Sequence, residues 1–127
     1  MASARPDLDA HKRSIHASFA ELVEELAQIL GKKLTAYIAG VKETRVIDRW
    51  IREGVSPYGD AESRVRLAYH IAKTLSKHDS PRVVQAWFTG LNPELEDRIP
   101  ARLLKEEDVH QVGPELLNAM RAFLAGG

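Results

Sequence analysis

The chain has 127 residues, 44% hydrophobic and 28% charged, with 18 basic and 18 acidic side chains and no cysteine. That balance suits one small globular unit and excludes a disordered tail protein, a disulfide framework and a thiolate metal site. Residues 31–79 hold ten basic and six acidic side chains, whereas 1–30 and 80–127 are each net negative, so only the middle is biased toward an anionic partner.

A first helix is expected from about Pro6 or Asp7 to a stop at Gly31. Its apolar residues are Leu8, Ile15, Phe19, Leu22, Leu26 and Ile29, and from Ile15 onward they step by 4, 3, 4 and 3. Such a seam packs on its own domain or pairs between chains over 15–29. Short helices follow over 34–39 and 44–53, stopped by Gly40 and Gly54. Ser56-Pro57-Tyr58-Gly59 is a turn. Asp60 then caps a helix to about Lys77 whose buried stripe is Val65, Ala68, Ile71, Ala72 and Leu75. Ser80-Pro81 opens a helix carrying Val83, Val84, Trp87 and Phe88 and ending at Gly90. Asn92-Pro93 opens further structure, Pro100 breaks it, and 101–107 can form a short helix. Gly113-Pro114 starts the last helix, with Leu116, Leu117, Met120, Phe123 and Leu124 on its apolar side. No useful stretch alternates with the period of a strand. The expected class is all-α, divided into an amphipathic helix (1–30), a helix-turn-helix region (31–79) and a small helical domain (80–127).

The stretch 34–50 carries the helix-turn-helix expectation. The motif needs two short helices crossing steeply around a tight turn. Gly40 tolerates the positive φ of such a turn, the small Ala39 permits close approach, and Val41 can plug the junction. Val46, Ile47 and Trp50 give the second helix a buried side, with Trp50 read as core rather than as a base-stacking residue. Lys42, Arg45, Asp48, Arg49 and Arg52 are left near its outer side, where arginines reach phosphates or guanine edges in a major groove. Lys32 and Lys33 can contact phosphate, whereas Glu43 and Asp48 oppose a polyanion unless paired with a neighbouring base. A helical hairpin with a solvated charged side remains the plain alternative. The turn is about one residue longer than in the common motif.

Nothing points to catalysis. His11, His16, His70, His78 and His110 form no H-x-x-x-H pair, and no phosphate-binding glycine loop is present. Glu106-Glu107-Asp108 is most simply a solvated segment. The chain is expected to be neither an enzyme nor a metal or cofactor protein. No apolar run approaches the roughly 20 residues needed to cross a bilayer. Residues 1–7 lack the apolar stretch of a secretory signal, so the expected address is cytoplasmic.

Trp87, the Asn92-Pro93 turn, Leu95, Arg98, Pro100 and Leu103-Leu104 form a pattern that resembles the toxin-binding domain of the Xre/MbcA/ParS antitoxins. In that family a helix-turn-helix region precedes the pattern and a terminal helix follows it, as 34–50 and 114–125 do here. The resemblance covers roughly residues 30–127, and 1–30 has no clear counterpart. It implies a partner, a RES-domain toxin that degrades NAD, whose NAD cleft the antitoxin covers with its C-terminal region. The residues it nominates for toxin contact are Arg98, Arg102, Arg121, Phe123, Leu124, Ala125, Gly126 and Gly127. It also implies a homodimer that represses its own operon by binding operator DNA. A stand-alone helix-turn-helix repressor whose C-terminal helices serve dimerisation is the alternative reading.

Overall fold

Ser18 fixes where the first described helix begins. A computed structural model of the chain describes residues 18–54, 57 and 59–126. Ser18 is extended (φ −62°, ψ 152°) and its hydroxyl accepts the Glu21 N–H at 3.2 Å, an N-cap that opens α1 (Phe19–Leu30). The single helix expected from Pro6 or Asp7 is therefore corrected: the chain is not helical at Ser18. The expected start, Leu8 and Ile15 lie outside the described residues. Phe19, Leu22, Val23, Leu26 and Leu30 are buried within the chain. From Phe19 onward the seam thus faces this chain's own core, leaving those residues no surface for an intermolecular pair.

The remaining helices are α2 (Lys32–Ala39), α3 (Thr44–Glu53), α4 (Asp60–Ser76), α5 (Pro81–Thr89), α6 (Pro100–Glu106) and α7 (Val109–Gly126), with a 3-10 turn at Pro93–Leu95. Among the described residues there is no strand, only an isolated bridge between Asn92 and Arg98, and the fold is all-α. No described helix is long and apolar enough to cross a membrane.

Packing centres on α4, which touches α1, α2, α5, α6 and α7. Its expected stripe is fully buried, and Tyr69, His70 and Thr74 are buried too, because neighbours cover α4 on several sides. Asp60 does not cap this helix; it is the first helical residue, and Gly59 holds the cap position at φ +74°. Glu25 ties α1 to α4, accepting from the Tyr69 hydroxyl at 3.4 Å and pairing with Lys73 at 3.0 Å. Gln85 ties α5 to the end of α1 by donating to the Ile29 carbonyl at 2.8 Å. One buried apolar cluster runs from Phe19 to Met120.

Two expectations about the C-terminal half change. Pro100 is the first residue of α6 rather than a break before it, a position where its missing N–H costs nothing. Helix α7 begins at Val109, not at Gly113-Pro114. Asp108 accepts the His110 N–H at 2.9 Å, Val112 is buried, and Pro114 falls inside the helix. Local proline chemistry marks a start at 114, but the extra turn buries Val112 and sets Gly113 against Leu67 of α4.

Candidate nucleic-acid interface and C-terminal surface

The turn between α2 and α3 is closed by backbone bonds. Gly40, at φ +82°, donates to the carbonyls of Ala36 and Tyr37, and Val41 also donates to Ala36 at 3.0 Å. Arg64 reaches over from α4 to donate to the Ala39 carbonyl at 3.4 Å. A Cβ on Gly40 would stand 3.1 Å from that guanidinium. Val41 packs against the core as a plug. Within α3, Ile47 and Trp50 are buried, and Val46 is partly buried. Trp50 meets Phe19 edge-on at 5.5 Å between ring centroids, which makes it a core residue.

Burying that side turns the other outward. Arg45, Arg49 and Arg52, spaced four and three apart, form one exposed stripe. Asp48 is paired with Lys32 at 2.6 Å and Glu43 with Arg45, whereas a third acid, Glu53, is exposed four residues after Arg49. Lys33, Lys42, Arg49 and Arg52 have no ion-pair partner among the described residues. Lys33 and Lys42 line one groove with Tyr37, Thr44 and Lys105.

The eight residues nominated for toxin contact are not gathered in one place. Arg98 is built into the loop that precedes α6. Its Nε donates to the Leu95 carbonyl at 2.7 Å, and its Nη2 meets Glu115 of α7 at 3.0 Å. The loop itself is pinned by Asn92, whose carbonyl accepts from Asp97 and whose side chain accepts from Glu94. Glu96 and Asp97 are both left-handed, at φ 57° and 62°. Arg102 is paired with Glu106 along α6, and it lines a hollow with Arg98, Leu91 and Ile99. Phe123 lines a different hollow with Val83, Trp87, Leu91 and Pro93. Phe123 also joins Leu124, Ala125 and Gly126 around a third hollow bordered by His78 and Asp79, so four of the eight share one position. Arg121 is exposed on α7, and Gly127 lies outside the described residues. Leu91, 70% exposed, lines both of the first two hollows and so stands between them.

No family model, curated protein or solved structure matches this chain. The antitoxin-like pattern therefore rests on its residues alone, and most of them are structural: Trp87, Leu95, Leu103 and Leu104 are buried in the common core. Among the described residues no three His, Asp or Glu side chains are placed to hold a metal ion.

Sequence reasoning missed Leu91, Val83, Tyr37 and Lys105. Val83, expected on α5 together with Val84, Trp87 and Phe88, is 38% exposed while Val84 is buried. Tyr37 lies between buried Ala36 and Ile38, and Lys105 follows buried Leu103 and Leu104. In a short helix those flanking residues already mark 37 and 105 as outward positions.

Proposed function

We propose that this chain is a non-catalytic antitoxin-type regulator. It binds duplex DNA through α3 and the preceding turn, and it binds and occludes a RES-domain NAD-degrading toxin through its C-terminal half. The observation that carries the DNA part is the exposed Arg45–Arg49–Arg52 stripe, backed by a locked core side, with Asp48 paired to Lys32, Glu43 paired to Arg45 of the stripe, and exposed Glu53 as the acid that remains beside it. Since the chain has no net charge, attraction to DNA has to come from this local patch. The toxin part is supported by the antitoxin-like pattern and by the exposed apolar border formed by Leu91 and Val83. In this reading the active unit is a homodimer joined through a surface other than the buried part of α1.

Replacing Arg45 and Arg49 together by alanine tests the DNA contact. Two lost phosphate contacts reduce the slope of log affinity against log salt by about 1.8. A salt series giving the same slope for this double variant and the unaltered chain rejects α3 as the reader. Co-expression with a RES-domain toxin tests the second contact: the chain is expected to co-purify with the toxin and to preserve cellular NAD.

A stand-alone repressor is the second reading. It is favoured by one observation, that Arg98 and Arg102 are already engaged by Glu115 and Glu106. DNA binding without any capture or inhibition of a RES-domain toxin selects it.

A further inference from the structure

We infer that Lys105, in the C-terminal half, is a phosphate-contacting residue of the same DNA interface, held in position by Tyr37 of α2. The inference rests on the proposed DNA reading and extends it across the chain.

Helix α6 lies against α2, with Ala101, Leu103 and Leu104 buried in the common core. That packing fixes the backbone of Lys105 beside the first helix of the helix-turn-helix. The Lys105 ammonium stands 4.4 Å from the centroid of the Tyr37 ring, and Tyr37 is 37% exposed. A cation over a ring keeps its full charge and still has N–H groups for a second acceptor. The ring acts as a positioning residue, limiting the freedom of a side chain that otherwise loses much rotamer entropy on binding.

The surroundings have the sign that a phosphate needs. The groove shared by Tyr37 and Lys105 is about 760 Å³ and is also lined by Lys33, Lys42 and Thr44, the first residue of α3. Its one acid, Glu43, is paired with Arg45. The acid next to Lys105 in sequence, Glu106, is bonded to Arg102 instead. Lys33, Lys42 and Lys105 therefore border one groove with no carboxylate pairing any of them among the described residues. Like charges gathered around a groove repel one another, and a polyanion passing between them removes that cost. A duplex whose major groove receives the Arg45–Arg49–Arg52 stripe carries its adjoining backbone past the start of α3, where this groove opens.

The test measures binding of the full chain to mixed-sequence duplex DNA across a salt series, because phosphate contacts are indifferent to sequence. Lys105→Gln keeps the stem and removes the charge. It is expected to reduce the salt slope by about 0.9 and to weaken every duplex to a similar degree. Lys105→Arg restores binding. Tyr37→Leu weakens binding in the presence of Lys105 and adds nothing in the Lys105→Gln background. Lys77→Gln, an exposed lysine just after α4, leaves the slope unchanged. An unchanged slope in Lys105→Gln, together with loss of binding in the Arg45/Arg49 double variant, overturns this inference and leaves α3 as the reader. Failure of the unaltered chain to bind DNA at all overturns both.

Discussion

Trp87 is 93% buried, its ring meets Phe88 edge-on at 5.2 Å, and its indole N–H has no acceptor among the described residues. An unmet buried donor costs about 1–3 kcal/mol, whereas the ring itself stabilises through its area. Trp87→Phe removes the donor and keeps most of the contact. Denaturant unfolding is expected to place it within about 1 kcal/mol of the unaltered chain. Trp87→Ala is expected to lose about 3–5 kcal/mol through the cavity it leaves. A loss in Trp87→Phe clearly above about 1 kcal/mol would show that the N–H has an acceptor in the folded chain. The burial of Trp87 was legible in its helical spacing, but its lack of an acceptor was not, since that depends on which atoms other elements bring near. Gly40 shows the same divide. A glycine after a short helix announces a positive φ, while nothing local announces Arg64, which braces the same turn from 25 residues beyond Ala39.

At the scale of elements, the sequence signals worked where capping and apolar spacing agreed. The ends of α3 and the start of α5 were read correctly because Gly54 and Ser80-Pro81 act within one turn. They failed where a strong local signal competed with packing. Pro114 reads as a start, yet α7 runs through it from Val109. As the sixth residue of that helix, Pro114 lacks the N–H that would bond to the His110 carbonyl. Pro114→Ala is expected to stabilise the fold by about 2 kcal/mol. That is somewhat below the roughly 3 kcal/mol by which proline is less favourable than alanine inside a helix, since Pro114 sits in the second turn. The denaturant midpoint should rise with no change in the steepness of the transition. A lower midpoint would mean that the proline shape is needed at the turn of helix beside Gly113. The same competition explains α1. The seam pattern continues through Ser18 without a break, but the hydroxyl satisfies the Glu21 N–H and opens the helix there.

Across the whole molecule, helical class and inward stripes were legible, whereas the pairing of helices was not, because periodicity names a buried side without naming its neighbour. The division into 31–79 and 80–127 separates the helix-turn-helix region from the antitoxin-like pattern, but the buried cluster crosses that boundary: α2 packs on α6, α1 on α5, and α4 on α5, α6 and α7. A fragment ending at Asp79 would uncover the sides of α4 that those helices protect. It would also lose Val84, Trp87, Phe88, Leu104, Leu116 and Met120 from the core. Each such side chain contributes on the order of 2 kcal/mol by burial, and a small domain's net stability is only about 5–15 kcal/mol. Residues 1–79 alone are therefore expected to show no cooperative thermal transition by circular dichroism, whereas the full chain melts in a single step. They are also expected to bind duplex DNA more weakly and with a flatter salt dependence, since both the support of α2 and the Lys105 charge are gone. A fragment that melts cooperatively and binds DNA as the full chain does would show that the helix-turn-helix stands by itself. In that case the C-terminal helices would be an attachment to the DNA-binding unit rather than part of its scaffold.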